Sequence, residues 1–385
     1  MRVLLNGWFW GQIAAGSGQY LGHLLSHLVA VAPQHEYMLA VWRQQRSLPE
    51  PPDCRLLPLA TPFDRVSEDL SKVWFEQVAY PRACRRVGAD LAHVPHWGSP
   101  WRPTVPTVVT IHDLIPLLLP AYRGSALVRS YTRLAAAAAR RADAVITVSR
   151  ASQRDIITHL RVPEAQVWVT HEAAPSEFQR ANRTQVAAMR RRHDLPDRYL
   201  LYLGGFDVRK NVGGVLEAFA RLAERRAATA PVLVVAGRLP DTDTPFAPDP
   251  RRMARELGIE DCVVFTGWVE EADKAALYTA ADLFVFPSRY EGFGLPVMEA
   301  LACGTPTVTS NVSSLPELVG QAGLLVNPDD VSELSAAMEQ LWQDATLRKR
   351  LREAALARAA RFSWRETAQG TAHVYARVLG RAQVG

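Results

Sequence analysis

Short apolar runs alternate along the chain with longer amphipathic stretches. The runs at 107–111 and 283–286 are rich in β-branched or aromatic side chains, which is typical of strands buried in a parallel sheet. The stretches at 21–31 and 125–141 carry apolar residues three or four positions apart, which predicts helices. This alternation predicts an α/β protein whose parallel strands are connected by helices.

Each half of the chain contains its own series of alternating strands and helices. We predict strands in the first half at 3–6, 37–42, 90–95, 107–111, 144–148 and 166–171. In the second half we predict strands at 199–203, 232–236, 262–265, 283–286, 307–309 and 324–326, one helix at 332–356 and a last helix at 371–378. Two such series predict two Rossmann-like, doubly wound domains, residues 1–175 and 176–363.

The composition is that of a globular protein of two or three domains. The chain has 385 residues, of which 48% are hydrophobic and 22% are charged. No apolar run reaches transmembrane length and the N-terminus starts a strand, so we expect a cytoplasmic protein without a signal peptide. The cysteines lack metal-binding spacing and fit reduced thiols better than disulfides: Cys54, Cys84, Cys262 and Cys303.

The net charge of +5 is a mild excess of basic residues. A solvated, arginine-rich surface accounts for it most simply, for example the face of the helix at 125–141 that carries Arg129 and Arg133. Peripheral contact with the inner face of a membrane stays open as an alternative. The chain has no zinc-finger or RNA-recognition signature and no lysine-rich tail, so we expect no nucleic-acid partner.

One stretch, residues 281–305, combines a strand, a glycine loop and a helix start. The loop contains Gly292 and Gly294, Pro296 suits the first turn of the helix, and Gly304 is placed to end it. Ligands of open parallel sheets bind beyond the carboxyl ends of the strands, where this loop is predicted to lie. Because glycines let a pyrophosphate approach the main chain and helix N-termini attract anions, the stretch predicts a phosphate site.

Two glutamates, Glu291 and Glu299, are eight positions apart across this loop. We place Glu299 in the first turn of the helix, where the helix dipole favours a carboxylate even without a ligand. The alternative is that both carboxylates bind a ligand. Because they repel phosphate, they would then contact its neutral, hydroxyl-rich parts, ribose on one side and a sugar on the other.

A second loop with basic residues follows the predicted strand at 199–203. It runs from Gly204 to Asn211 and contains Arg209 and Lys210 just before a helix start. Cations gain nothing from the dipole at that end of a helix. An anionic ligand therefore explains the pair better than a structural role.

The N-terminus also has the order of strand, glycine loop and helix. We predict a loop at Gly16, Ser17 and Gly18, whose spacing is not G-x-G-x-x-G, so a nicotinamide cofactor is not expected. The preceding aromatic cluster, Trp8-Phe9-Trp10, is predicted to be half core. An apolar wall for a bound sugar or lipid is the alternative.

Polar residues follow several strands of the first half. His112 ends the β-branched strand at 107–111 and is either a structural imidazole bonded to the backbone or a functional group. Ser152 is predicted to cap a helix that starts at Gln153. The segment 172–175 is predicted to be a linker between the two halves.

The sequence E-G-F-G-L-P-V-M-E-A-L-A-C-G-T-P, which begins at Glu291, resembles the Glu-x7-Glu motif of retaining GT-B glycosyltransferases of family 4, or glycosyltransferase group 1. The resemblance implies a GT-B architecture, in which two Rossmann-like, doubly wound parallel-sheet domains face an interdomain cleft. It also implies that Glu299 holds the ribose diol and that Glu291 contacts the donor sugar. The diphosphate would be bound by main-chain N–H groups between them, at Gly292, Phe293, Gly294 and Leu295.

Two further motifs support this resemblance. The family's G-x-x-x-x-R-K-N pattern is intact from Gly204 and implies that Arg209 and Lys210 grip the donor phosphates, with Gly205 in the same loop. The string T-I-H-D-L-I-P-L is common in the family and implies that His112 reaches the donor sugar.

The resemblance covers nearly the whole chain and assigns roles to its other parts. It implies that the loop with Trp268 and Val269 lies against the nucleotide base, and that the glycine loop at 16–18 lies near the donor phosphate and the acceptor. The first domain would bind the acceptor and the second the nucleotide sugar. A C-terminal helix, about 364–385, would return to the first domain.

The function implied is transfer of a sugar from a nucleotide-activated donor with retention of the anomeric configuration. GDP-mannose is the donor favoured by the resemblance, with UDP- and dTDP-sugars as alternatives, and the acceptor is a glycan, a lipid-linked or a small molecule. The catalytic candidates are His112, Glu291, Arg209 and Lys210. The rival functions are a nucleotide-sugar 2-epimerase of the same fold and a non-catalytic sugar-nucleotide binding protein.

The sequence Asp241-Thr242-Asp243 matches the D-x-D motif that holds a divalent metal in many sugar-nucleotide transferases. It lies in a segment rich in proline and aspartate, with no predicted strand ending at it, so we interpret it as a surface loop. Arg209, Lys210 and the helix N-terminus already supply positive charge for a diphosphate. We therefore expect no metal and no other cofactor.

Overall fold

The computed structural model describes residues 1–12, 16–45, 48–51, 53–225 and 231–382. The chain divides into an N-terminal unit, residues 1–172 with 363–385, and a C-terminal unit, residues 173–362. Each unit contains a sheet whose recorded strand pairings are all parallel, so the predicted pair of doubly wound domains is confirmed.

Within the described residues, the N-terminal unit has a seven-stranded sheet. Its strands are β1 (Arg2–Asn6), β2 (Glu36–Trp42), β3 (Arg55–Leu59), β4 (Leu91–Val94), β5 (Thr107–Thr110), β6 (Ala144–Thr147) and β7 (Val167–Val169). Their order across the sheet is β3-β2-β1-β4-β5-β6-β7. The direction of strand addition therefore reverses between β1 and β4, which is the point where open α/β sheets bind ligands.

The described helices of residues 1–172 connect these strands. They are α1 (Gly16–Val31), α2 (Glu68–Trp74), α3 (Tyr80–Arg86), α4 (Ile115–Leu118), α5 (Ala126–Ala139) and α6 (Arg150–Asp155). A π-helical turn, Phe75–Ala79, joins α2 to α3, and a second one, Ile156–Leu160, extends α6. The side chain of Ser67 caps α2 by accepting the N–H of Leu70.

The C-terminal unit repeats this arrangement with six strands among its described residues. They are β8 (Leu200–Leu203), β9 (Leu233–Ala236), β10 (Val263–Gly267), β11 (Leu283–Phe286), β12 (Thr307–Ser310) and β13 (Gly323–Val326). The order β10-β9-β8-β11-β12-β13 is that of a dinucleotide-binding fold, with its switch point between β8 and β11.

The helices of the C-terminal unit cover its sheet. Those described are α7 (Arg183–His193), α8 (Val212–Arg225), α9 (Pro250–Glu256), α10 (Glu271–Ala280), α11 (Leu295–Ala302), α12 (Leu315–Val319), α13 (Val331–Gln343) and α14 (Ala345–Ala359). The chain then returns to the N-terminal unit, where α15 (Trp364–Ala382) packs against α1. None of the helices in the described ranges combines the length and the apolar character needed to cross a membrane.

Two predicted elements differ from the observed ones, and one observed strand was not predicted. The helix predicted at 332–356 is two helices, because Asp344 caps the second one by accepting the N–H of Leu347. The last helix begins at Trp364 instead of residue 371. Strand β3 was not predicted, and it contains Pro58, which is tolerated because β3 is an edge strand.

The central strands are buried on both faces of their sheets. The side chains of Leu4, Leu5, Phe284 and Phe286 have no exposed surface. Complete burial of such a side chain stabilises the fold by about 1.5–3 kcal/mol. The loops that follow these strands therefore start from fixed positions.

Candidate active site

Two loops meet at the switch point of the C-terminal unit. One follows β8 and contains Arg209 and Lys210, and the other follows the neighbouring strand β11 and contains Glu291. Lys210 Nζ lies 2.7 Å and Arg209 Nη1 lies 2.8 Å from Glu291 Oε1. The sequence motifs imply that the two cations bind phosphate and that the carboxylate contacts the sugar. The structure places all three side chains in one ion-paired cluster.

The backbone also connects the two loops. The N–H of Arg289 donates to the carbonyl oxygen of Arg209 at 2.8 Å, and Arg209 Nη1 donates to the carbonyl oxygen of Tyr290 at 2.7 Å. Asn211 adopts a left-handed conformation with φ of 58° just before α8, and its side chain donates to the carbonyl oxygen of Pro287. The basic pair is therefore fixed in position before any ligand binds.

The ion pairs determine the charge of Glu291. Burial alone would raise the pKa of this carboxyl, but Lys210 and Arg209 outweigh it and hold the pKa below its ordinary value. Glu291 is 8% exposed, so these charges interact with little screening by water. The carboxylate is ionised at neutral pH, and a second carboxylate, Asp207, lies 3.7 Å from Arg209.

The glycine loop leads directly into α11. Gly294 has a φ of 109°, and a Cβ at this position would lie 2.8 Å from a terminal carbon of Leu315. Ser314 Oγ donates to the carbonyl oxygens of Phe293 at 2.7 Å and Glu291 at 3.0 Å. The loop is therefore braced, and it ends at a helix N-terminus whose first N–H groups carry partial positive charge.

Glu299 lies in α11, but one turn further along than predicted. The helix begins at Leu295, so Glu299 is its fifth residue and the stabilisation by the helix dipole considered for the first turn does not apply. Glu299 Oε2 accepts a hydrogen bond from the hydroxyl of Tyr278 at 2.9 Å. Burial raises the pKa of this carboxyl to about 7, against the opposing effects of Lys274 and of the Tyr278 hydrogen bond.

The loop after β10 presents an exposed aromatic side chain. Trp268 is 57% exposed, whereas Val269 is buried in the unit. Lys274 Nζ lies 5.7 Å from the centre of the Trp268 ring, a cation–π contact. Of the two residues predicted to contact a base, only Trp268 has a free ring face, while Val269 supports the loop. Gly205, in the loop after β8, is also exposed.

In the N-terminal unit, His112 follows β5 and contacts two hydrogen-bond acceptors. Its Nδ1 lies 3.1 Å from Oε1 of Glu172, and its Nε2 lies 3.3 Å from the carbonyl oxygen of Pro95. Both ring nitrogens must donate to satisfy these contacts, which only the imidazolium form can do. Burial alone would lower the pKa of His112, but Glu172 outweighs it and the pKa is raised.

Sequence reasoning did not identify Glu172, which was assigned to a linker. The residue is 5% exposed and follows β7, 60 positions from His112. No motif marks it, and only the pairing of β5, β6 and β7 brings it to His112. The predicted cap at Ser152 is also wrong: Ser149 caps α6, and Ser152 Oγ instead donates to the carbonyl oxygen of His112 at 2.8 Å.

The glycines at 16–18 are not in a loop. Gly16, Ser17 and Gly18 form the first turn of α1, while Ile13, Ala14 and Ala15 lie outside the described residues. Gly18 faces the preceding segment so closely that a Cβ would lie 2.2 Å from the carbonyl oxygen of Gln12. This glycine therefore serves the packing of α1 onto the end of β1.

The aromatic cluster at 8–10 is mostly core. Trp8 stacks on Trp42 with ring centres 5.1 Å apart, and the Trp10 indole N–H donates to the carbonyl oxygen of Pro49. Both tryptophans are buried. Phe9 is half-buried and meets the His96 ring edge-on, so it is the one member of the cluster with surface left for an acceptor.

The D-x-D sequence lies on an exposed loop, as interpreted. Asp243 accepts hydrogen bonds from Arg252 at 2.7 Å and from the N–H of Asp249 at 2.8 Å. These partners hold the segment before α9. The absence of a metal requirement stays a prediction.

Two family models match the chain. Residues 187–358 match glycosyl transferases group 1, and residues 14–177 match glycosyltransferase family 4. The first match contains the Arg209, Lys210 and Glu291 cluster, and the second contains His112.

Curated relatives include mannosyltransferases of Escherichia coli. The serotype-specific mannosyltransferase WbdA is 31% identical over 294 residues, which are 75% of this chain and 35% of that protein. The O-antigen chain mannosyltransferase B is 33% identical over 269 residues, which are 70% of this chain and 69% of that protein. The match thus spans about a third of WbdA and about two thirds of the second relative.

A solved structure shows the same fold. Sucrose-phosphate synthase from Thermosynechococcus elongatus aligns with a TM-score of 0.79 at 23% identity, covering 99% of this chain and 100% of that one. This similarity and the two parallel sheets support the predicted GT-B fold. Together with the family models and the E. coli relatives, it confirms the sequence resemblance: this chain belongs to the group 1 glycosyltransferases of family 4.

Proposed function

We propose that this protein transfers a hexose from a nucleotide-activated donor to an acceptor hydroxyl, with retention of the anomeric configuration. The observation that carries the proposal is the cluster at the C-terminal switch point, where Arg209 and Lys210 are fixed beside a glycine loop and a helix N-terminus. Such a combination is suited to a diphosphate.

The donor proposed is GDP-mannose. Both E. coli relatives are named mannosyltransferases, which favours mannose as the sugar. The ribose would bind Glu299 and the base would stack on Trp268. A glycan acceptor is favoured because one relative is named an O-antigen chain enzyme, with lipid-linked and small-molecule acceptors as alternatives.

The proposed reaction needs a good leaving group. The bond between the anomeric carbon and the diphosphate oxygen breaks, and its electron pair stays on the diphosphate. Arg209, Lys210 and the N–H groups at the start of α11 stabilise the charge that develops there. The acceptor oxygen bonds to the anomeric carbon on the same face, and its proton passes to the departing phosphate, so that retention requires no enzyme base.

Glu291 has two tasks in this proposal. It would accept hydrogen bonds from hydroxyls of the donor sugar, and it already accepts one from Lys210. Because its partners keep it ionised, it is an acceptor-only group at neutral pH. His112 is kept as a catalytic candidate on the strength of the family motif and its imidazolium form, which supplies a positive charge.

The first test is a thermal-shift panel of GDP-, UDP- and dTDP-sugars. A donor present at 100 times its Kd stabilises the folded protein by about 2.7 kcal/mol. We expect the largest shift with GDP-mannose. A larger shift with another nucleotide would replace the proposed donor but not the proposed reaction.

The second test separates transfer from isomerisation. The 2-epimerase is not favoured by the mannosyltransferase relatives. We expect the preferred donor to remain unchanged without an acceptor, and the product with an acceptor to keep the donor's anomeric configuration by NMR. Formation of a 2-epimer in the absence of acceptor, or an inverted product, would contradict the proposal.

A further inference from the structure

Four arginines line one cavity of about 460 Å³ in the N-terminal unit: Arg82, Arg85, Arg86 and Arg102. No carboxylate belongs to the lining. Within the described residues, none of these arginines has a recorded ion pair or hydrogen bond through its side chain. Other surface arginines do, such as Arg251 with Asp249 and Arg225 with Glu339.

The arginines of α3 share one face of the helix. Arg82 is followed by Arg85 and Arg86 at the third and fourth positions, so the three side chains leave the same side of the helix. Like charges at this spacing repel each other and destabilise an isolated helix. Arg85 and Arg86 lie in the last turn of α3, where the helix dipole favours cations, and a bound anion would offset the repulsion that remains.

The opposite wall of the cavity is fixed to α3. The Gln77 side chain donates to the carbonyl oxygen of Ser99 at 3.1 Å and accepts the N–H of Trp101 at 2.8 Å. The hydroxyl of Thr104 donates to the carbonyl oxygen of Pro81 at 2.7 Å. Arg102 lies between these attachments, so the backbone that carries it is held against the helix.

The cavity lies away from His112. The end of α3 leads to the start of β4, and the segment with Arg102 leads to the start of β5, so both border the amino-terminal edge of the sheet. His112 follows the carboxyl end of β5. A ligand in this cavity is therefore distinct from one at the carboxyl ends of the strands.

The charge of the whole unit agrees with an anionic ligand. The N-terminal unit carries 21 of the 44 Lys and Arg residues but only 14 of the 39 Asp and Glu residues. The C-terminal unit has the remainder and is slightly acidic, so the basic excess of this chain belongs to the N-terminal unit.

We propose that this arginine cavity binds a phosphate group carried by an organic molecule. Guanidinium groups bind phosphate oxygens in a bidentate manner, and several around one cavity favour a doubly charged anion over chloride. The volume leaves room for the group that carries the phosphate. A soluble phosphate ester and a phospholipid headgroup share this chemistry.

The test uses the full chain and two charge-matched variants. Arg82→Gln/Arg86→Gln removes two cavity arginines, and Arg65→Gln/Arg154→Gln removes two exposed arginines elsewhere on the same unit. Glycerol 3-phosphate is titrated by calorimetry, and sedimentation with phosphatidylglycerol vesicles is compared with phosphatidylcholine vesicles. Arg85→Gln/Arg102→Gln repeats the test should the first variant fold poorly.

We expect the cavity variant to lose at least about tenfold in affinity for one phosphate source, with the control within about twofold. Loss of glycerol 3-phosphate binding supports a soluble ester, and loss confined to phosphatidylglycerol vesicles supports a headgroup. Equal behaviour of cavity and control variants in both arms would overturn the proposal. Nucleotide-sugar binding should be unchanged throughout, which keeps this test independent of the proposed function.

Discussion

The two buried glutamates of the Glu-x7-Glu motif have pKa values that are shifted in opposite directions. Glu291 is surrounded by cations and its pKa is lowered, whereas Glu299 is bonded to the neutral hydroxyl of Tyr278 and its pKa is raised to about 7. The two carboxyls are equally buried, so it is their partners that separate them. At neutral pH one is a full negative charge and the other is partly protonated.

Glu299→Gln should therefore make stability less dependent on pH. A carboxyl whose pKa is raised by folding favours the folded state when protonated, so this stabilisation is complete below a pH of about 4.5 and is lost as the pH rises through about 7. Urea unfolding at pH 5 and pH 8 should show the wild type losing up to about 3 kcal/mol more than the variant. Parallel losses in both proteins would contradict the raised pKa.

Alanine at the two positions should separate nucleotide binding from transfer. Glu299→Ala removes the acceptor proposed for the ribose hydroxyls, and such a hydrogen bond contributes about 1.5–3 kcal/mol, so GDP should bind at least about tenfold more weakly in calorimetry. Glu291→Ala removes the carboxylate that neutralises Arg209 and Lys210, so GDP affinity should be kept or increased while transfer falls. Equal losses of GDP affinity would show that this division of roles is wrong.

The charge of His112 should depend on Glu172. Glu172→Gln keeps the size of the side chain but removes the charge that raises the pKa of His112, so the imidazolium should deprotonate at a lower pH. The alkaline limb of the pH–activity profile should move to lower pH, and the His112 resonances in NMR should titrate with it.

His112→Ala should lower turnover by about 10²-fold with little change in nucleotide affinity.

A merely structural role for His112 makes a different prediction. His112→Ala would then lower stability while the folded fraction kept near wild-type turnover. An unchanged pH profile in Glu172→Gln would show that the contact between these residues does not control the charge of the imidazole.

The sequence motifs identified residues of the site better than they identified the contacts between those residues. Arg209, Lys210 and Glu291 were predicted as ligand contacts, but their ion pairs join residues 82 and 81 positions apart, and no local pattern reports such a contact. The same holds for Glu172 with His112. The structure brings these pairs together through strand order, which local periodicity does not encode.

At the level of elements, the junction between the glycine loop and α11 is the most constrained part of the site. Gly294 has a positive φ and faces Leu315, so both its backbone conformation and its surroundings exclude a side chain. Pro296 fits the first turn of the helix, as predicted from the sequence. The direction of the helix N-terminus therefore depends on one residue.

Gly294→Ala should disturb this junction. We expect a loss of about 1–3 kcal/mol of stability from strain and contact, together with weaker binding of nucleoside diphosphate. Gly22→Ala is a matched control, because this glycine lies within α1 with nothing within 4 Å of the added Cβ. The control should be neutral or more stable by about 0.5–1 kcal/mol. Chemical denaturation would measure the stability of both variants, and calorimetry would measure their affinity for nucleoside diphosphate. Unchanged stability and affinity in Gly294→Ala would show that the junction does not require glycine.

Element types were easier to predict than their ends. Buried parallel strands and amphipathic helices have distinct periods, so the two sheets were predicted, although edge strand β3 was missed. The ends of the helices depend on single side chains, which the hydrophobic pattern does not take into account. Asp344 ends one helix and caps the next, and Ser149 rather than Ser152 caps α6.

For the whole molecule, the central prediction is transfer without a metal. Arg209→Ala/Lys210→Ala should nearly abolish transfer, because in the proposed reaction these cations compensate the charge of the leaving diphosphate. Activity in excess EDTA should equal that without it, and Asp241→Ala/Asp243→Ala should be as active as the wild type. Loss of activity in EDTA that is restored by Mg²⁺ or Mn²⁺, together with an inactive aspartate variant, would assign the metal role to that loop.

The ion pairs of Glu291 make this carboxylate a tethered competitor for the donor. Any anion that reaches Arg209 and Lys210 competes with a group already attached to the same chain, whose effective concentration is on the order of millimolar or more. A small anion with a single contact competes poorly against it. In the proposed donor complex a diphosphate gains contacts to both cations and to the helix N-terminus at once, so we expect the site to prefer the activated sugar over free phosphate.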